Sequence, residues 1–178
     1  MSDAIRIRPA ERTDVAQLMS MIAELAAYER ARDRVTGTEE LLAAALFGED
    51  PLAEAVIAEL DAGGLAPGAL AAARPSIGFA VYFASFSTWL CRPGLYLEDL
   101  YVRPEYRGRG VGRMLLAHLA ALAIDRGCAR LEWTALDWNT PAIEFYERLG
   151  ATPLDQWRGF RLSGPDLAAL AQASTGAR

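Results

Sequence analysis

The chain has 178 residues, 52% hydrophobic and 23% charged, with a formal net charge of -5. That length suits one packed domain spanning residues 1–178, and it argues against a second catalytic domain or a disordered chain. The negative total argues against binding nucleic acid or an anionic membrane through overall charge, although all 18 basic residues are Arg and none is Lys.

Residues 5–8 alternate apolar and basic up to Pro9 and predict a short strand. Thr13 and Asp14 supply cap-type residues before Val15, Leu18, Met19, Ile22 and Leu25, which recur at helical spacing. A second helix is expected after Thr38, with Glu39 and Glu40 where acids suit the helix dipole and Leu41, Leu42, Ala45 and Leu46 buried. Strands are expected over 55–60, 77–86 and 95–102, with a Gly-, Ala- and Pro-rich hairpin loop over 61–76 and a turn at 91–94. Residues 110–126 form an amphipathic helix pattern presenting Val111, Met114, Leu115, Leu119 and Leu122, ended by Gly127. A strand over 130–136, a helix over 140–149 stopped by Gly150, a late strand over 157–162 and an Ala-rich helix from about 165 complete the order. The expected fold class is α/β: a mixed, mostly antiparallel sheet with helices on both faces.

Two cysteines, Cys91 and Cys128, and one histidine, His118, match neither a disulfide framework nor a zinc site, so no metal is expected. Residues 1–6 show no signal-peptide pattern, and no apolar run is long enough to span a bilayer. The expectation is a soluble, cytoplasmic protein.

The most informative segment is 96–112, Y-L-E-D-L-Y-V-R-P-E-Y-R-G-R-G-V-G. Arg107, Gly110 and Gly112 stand in the pattern R-x-x-G-x-G, with Gly108 as an extra glycine inside it. Such a loop lets backbone N–H groups converge, and the helix behind it adds unpaired donors and partial positive charge, so the pair suits a phosphate. Arg103, Arg107, Arg109 and Arg113 crowd the same stretch. The spacing also fits an ordinary strand-to-helix turn with solvated arginines. It is neither a Walker loop, since no Lys follows, nor a Rossmann fingerprint.

With N-T-P-A-I-E-F-Y-E-R-L-G at 139–150, this segment resembles the GNAT acetyltransferases. A closer likeness is to the diamine acetyltransferase branch, which includes the spermidine/spermine and thialysine N-acetyltransferases. It is carried in order by I-R-P-A from Ile7, E-L-A-A-Y-E at 24–29, G-F-A-V-Y at 78–82, Y-L-E-D at 96–99, Y-R-G-R-G-V-G and D-W-N at 137–139. The resemblance spans about residues 5–162. It implies a GNAT fold, a homodimer, and direct transfer of an acetyl group from acetyl-CoA to a primary amine of a small molecule.

Residue by residue, the resemblance assigns the coenzyme pyrophosphate to Arg107, Gly108, Arg109, Gly110, Val111, Gly112 and Arg113. It assigns thioester and pantetheine contacts to the backbone of Leu100, Tyr101 and Val102, and a further coenzyme contact to Asn139, Thr140, Pro141 and Ala142. Tyr146 becomes the general acid, and Glu98 the carboxylate that deprotonates the ammonium through water. Tyr28, Glu29, Glu98, Glu132, Trp133 and Thr134 become amine contacts.

Acetyl transfer to an amine needs a neutral nucleophile, a polarised thioester carbonyl and a proton for the leaving thiolate. A phenol with pKa near 10 protonates a thiolate whose acid lies near 8.5 only in a tuned site. From the residues alone, Tyr146 is equally a core tyrosine beside Phe145, Asn139 a helix cap, and Glu98 an ion-pair partner for an arginine. Glu98 and Asp99 are adjacent, so a regular strand would point them to opposite faces unless a bulge intervenes.

The chain departs from the polyamine-specific pattern in two places, with Ser87 and Arg158 where those enzymes carry acids. Its S-T-W at 87–89 and L-D-W-N at 136–139 look more like the thialysine-type relatives. A small primary amine or amino acid is therefore expected, with polyamine as the competing substrate. Acetylation of a protein N-terminus and a non-catalytic acyl-CoA-binding module are the alternatives.

Overall fold

In the computed structural model, residues 4–61 and 75–173 are described, so most of the expected 61–76 loop lies outside them. The described residues fall into two compact units divided after Thr134. The first holds a five-stranded sheet in the order β1-β2-β3-β4-β5. β1 (Ala4–Pro9), β2 (Glu54–Asp61), β3 (Ser76–Ser87) and β4 (Arg92–Val102) form an antiparallel meander, and β5 (Leu131–Glu132) runs parallel to β4. α1 (Val15–Tyr28) and α2 (Glu39–Phe47) lie between β1 and β2 in the chain, and α3 (Val111–Asp125) between β4 and β5. This is the mixed sheet expected.

Strand periodicity divides the core. Ala55, Ile57, Phe79, Val81 and Tyr101 share a face with Leu18 and Met21 of α1 and Leu46 of α2. The alternate residues Val56, Ala58 and Ala80 are also buried and occupy the opposite face. α3 packs against β1 to β4 and buries Val111, Leu115, Leu116 and Leu119. Two-sided burial explains the near-continuous apolar runs of β2 and β3. Leu41, expected in the core, is 63% exposed, because the short α2 turns only Leu46 fully inward.

A buried charge cluster joins β1 to β2. Arg8 donates two bonds to Asp14, at 2.7 and 2.8 Å, and one to Glu59 at 2.9 Å. Burial opposes ionisation of Asp14, but Arg8 and the Glu11 N–H together hold its carboxyl below the usual range. Gly78 sits where β3 crosses β4 so closely that a Cβ would lie 2.7 Å from the Tyr101 carbonyl oxygen.

Two expected strands are corrected. Residues 130–136 supply only the two-residue β5, whose partners are Leu95 and Tyr96. Residues 157–162 form no strand: Trp157 and Phe160 are 63% and 94% exposed, so their aromatic pattern gains no ladder and little burial here. The hairpin turn falls at 88–91 rather than 91–94, with β4 starting at Arg92.

The second unit contains α4 (Thr140–Arg148) and α5 (Gly164–Ala173). Gly150 closes α4 at φ 90°, with the Gly150 and Ala151 N–H groups donating to the Glu147 and Tyr146 carbonyls. No described helix is long and apolar enough to cross a membrane.

Candidate active site

β4 is regular up to Leu97 and regular again from Asp99. Val81 on β3 pairs with Asp99, while its neighbour Tyr82 pairs with Leu97, so Glu98 is an extra residue. A bulge of this kind bends the strand and re-aims its side chains. Asp99, opposite Val81, shares the face of the sheet that α1 covers, whereas Glu98 is exposed. The ladder with β5 ends at the Tyr96–Glu132 pair, and no described strand lies beside that edge of β4 further on. Of the backbone groups of Leu100, Tyr101 and Val102, the Val102 carbonyl is taken by the Arg107 side chain at 2.9 Å.

The bulge carries two adjacent acids, Glu98 and Asp99. Burial pushes the Asp99 carboxyl up to about 6, helped by the negative charges of Glu98 and then Glu29. Burial also raises Glu29, which caps the C-terminal end of α1. Glu98 and Glu29, both expected amine contacts, each lie within electrostatic reach of Asp99, to which sequence reasoning gave no role. The E-D dipeptide is visible in the sequence, but the register shift at Glu98 is not. Among the described residues, no group of three His, Cys, Asp or Glu side chains is placed to hold a metal ion.

The glycine loop follows a single 3-10 turn at Pro104–Tyr106. Gly108 and Gly110 take φ values of 73° and 83°, in the left-handed region that side chains avoid, and a Cβ on either would project into open space. Gly110 is the N-cap of α3 and has no side chain to cap it, so the N–H groups of Val111, Gly112 and Arg113 lack intrahelical acceptors. Open space beside a helix start with such donors suits a phosphate.

The arginines of the loop divide. Arg109 lies over the Tyr106 ring at 5.4 Å. Arg113 is exposed on the first turn of α3. Arg107 turns back: its Nε donates to the Val102 carbonyl at 2.9 Å, and its guanidinium lies 4.9 Å from the Tyr28 ring centre and 5.7 Å from that of Tyr101. Tyr101 in turn donates to Glu24 at 3.2 Å, and Arg103 holds the same carboxylate at 3.0 and 3.2 Å. Arg107 therefore spends its side chain on the end of α1, where the motif alone pointed to a phosphate.

On β5 and after it, Glu132 forms an ion pair with Arg130 at 2.7 Å. Trp133 is half-buried, and Thr134 accepts a long 3.5 Å bond from the Tyr96 hydroxyl. Ser87, one of the two departures, is buried, and its Oγ accepts from the Leu90 N–H at 3.3 Å in the hairpin turn. Arg158 is exposed.

The remaining expected residues lie in the second unit. Asn139 is buried at the start of α4, and its carbonyl accepts from the Ala142 and Ile143 N–H groups, but its side chain makes no capping bond. Thr140, Pro141 and Ala142 form the first turn. Tyr146 is half-buried on the same helix, its ring centre 5.3 Å from that of Phe145.

Residues 38–151 match the model of the acetyltransferase (GNAT) family. The chain belongs to that family. It is similar to the thialysine N-epsilon-acetyltransferase of Bos taurus, 40% identical over 94% of this chain and 97% of the relative. It is also similar to the L-ornithine N5-acetyltransferase of Arabidopsis thaliana, 30% identical over 93% of this chain and 87% of the relative. Among solved structures, an integron cassette protein from the mobile metagenome of V. cholerae superposes with a TM-score of 0.74 at 28% identity, covering 94% of this chain and 98% of that one. These likenesses agree with the diamine and thialysine branch read from the sequence, and the chain is accordingly an acyltransferase.

Proposed function

We propose that the chain transfers the acetyl group of acetyl-CoA directly to the primary amine of a small molecule, preferring a lysine-like amino acid such as thialysine over a polyamine. The observation that carries this reading is the pairing along one strand. β4 carries the acids Glu98 and Asp99 at its bulge, the latter with a raised carboxyl, and leads into a glycine loop with unpaired N–H donors.

The chemistry follows from those groups. Pyrophosphate oxygens of acetyl-CoA accept from the loop and the first turn of α3, and the pantetheine lies along the β4 backbone at Leu100–Val102. Glu29, Glu98 and Asp99 attract the substrate ammonium. A carboxylate whose acid lies near 6 takes up a proton more readily than an ordinary one, so Asp99 assists Glu98, the base assigned by the resemblance, in removing through water the proton that keeps the amine inert. The neutral nitrogen attacks the thioester carbonyl and forms the C–N bond. A backbone N–H of the β4 edge stabilises the oxyanion, and its collapse breaks the C–S bond. Tyr146 gives its proton to the departing thiolate, and its phenolate takes up the proton that the new amide nitrogen sheds; the assignment is supported by its place in the Asn139-to-Gly150 motif.

The preference for a small amine is supported by Ser87, which serves the hairpin turn, and by the name of the bovine relative. The two units are proposed to act as one catalytic domain, and two copies to pair through the exposed Trp157 and Phe160. Steady-state assays on thialysine, lysine, putrescine and spermidine test the substrate. The highest kcat/KM is expected for thialysine or lysine, and a clear spermidine preference overturns the amino-acid assignment.

A further inference from the structure

Arg107 belongs by sequence to the glycine loop and by contact to the end of α1. Its guanidinium stacks over Tyr28 at 4.9 Å and Tyr101 at 5.7 Å, and its Nε is bound to the last carbonyl of β4 at 2.9 Å. Three elements therefore meet on one planar cation: the loop that carries it, the strand end whose carbonyl it holds, and the helix end that carries Tyr28 and Glu29. Arg suits this role where a point charge does not, since its flat, weakly hydrated face stacks on aromatic rings while an edge N–H donates.

We propose that Arg107 is a positioning residue that couples the two substrates: by clamping the end of α1 to the glycine loop, it makes the loop's hold on acetyl-CoA depend on the Tyr28–Glu29 segment, and the amine site depend on the loop. The proposal rests on the function proposed above and adds a coupling between its two sites. Coupling between sites is reciprocal, so disturbing the amine side must be felt on the coenzyme side.

The test is a double-mutant cycle read by acetyl-CoA binding in calorimetry, with thermal melting to confirm that each variant is folded. Tyr28→Leu, which removes the ring on the amine side, is expected to weaken acetyl-CoA binding about three- to fivefold, the scale of one cation–π contact. Tyr28→Phe keeps the ring and is expected to bind as the wild type does. In an Arg107→Gln background, Tyr28→Leu is expected to cost nothing further, because the tie is already cut. Two results overturn the coupling alone: acetyl-CoA binding by Tyr28→Leu at the wild-type level, or single effects that simply multiply in the double variant. A wild-type protein that binds no acetyl-CoA overturns the functional reading, and the coupling with it.

Discussion

Val81 and Tyr82 are neighbours on β3, yet their partners on β4 are Asp99 and Leu97, and Glu98 stands between them without a partner. Asp99 at this shift is partly buried, and burial, helped by the charges of Glu98 and then Glu29, raises its carboxyl to about 6. If Asp99 must be ionised to receive the ammonium, kcat/KM for the amine falls as pH drops through about 6. Asp99→Asn is expected to lower kcat/KM at pH 7.5 and to remove that acidic limb. A limb of unchanged midpoint in the variant would assign it to another group.

The same shift has a stability consequence of the opposite sense. A carboxyl raised in the folded state is more protonated there than in the unfolded chain, so its contribution falls as pH rises from about 4 to about 6. Asp99→Asn is therefore expected to be more stable than wild type at pH 7.5, on the order of 1–2 kcal/mol, in denaturant titration. Loss of activity with gain of stability separates a functional carboxylate from a structural one.

Tyr146→Phe keeps the ring packed beside Phe145 and removes only the hydroxyl. Turnover is expected to fall about 10²- to 10⁴-fold, as for loss of a general acid, while acetyl-CoA binding stays near wild type. Unchanged turnover would remove Tyr146 from the mechanism.

Gly110→Asp places a side chain at φ 83° and a negative charge at the N-terminus of α3, where the coenzyme phosphates are proposed to sit. Calorimetry is expected to show no acetyl-CoA binding by a folded variant. Retained affinity would contradict the phosphate site.

The Arg8–Asp14–Glu59 cluster makes a prediction about folding alone. Asp14 is depressed in the folded state, so its stabilisation is complete above the unfolded pKa near 4 and is lost as pH falls through its lower folded pKa. Asp14→Asn leaves the buried Arg8 short of a partner, and it is expected to cost roughly 3 kcal/mol at pH 7. The difference from wild type should shrink as the pH is taken below 4, which acid titrations of both proteins would show.

Much of this was legible in the sequence because local rules and burial agree there. α1, α3, the meander strands and the glycine stops follow from periodicity and from residues that tolerate a positive φ. The loop was readable for the same reason, since its glycines have no other purpose at those angles. The bulge was not readable, because a register shift is decided by pairing between β3 and β4 and leaves the E-D dipeptide looking like any other. Nor was the turn of Arg107 toward Tyr28, two residues 79 positions apart joined only by the fold. Residues 157–162 failed as a strand because alternation supplies a pattern but not a partner, and Trp157 and Phe160 stay exposed here.

The most direct measurement is release of free thiol from acetyl-CoA in the presence of each amine in a panel, with mass analysis of the products. Thiol release dependent on a small primary amine, with an equal amount of singly acetylated product and the fastest rate on thialysine or lysine, is the predicted result. Binding of acetyl-CoA with no acetylated product from any amine would contradict the account.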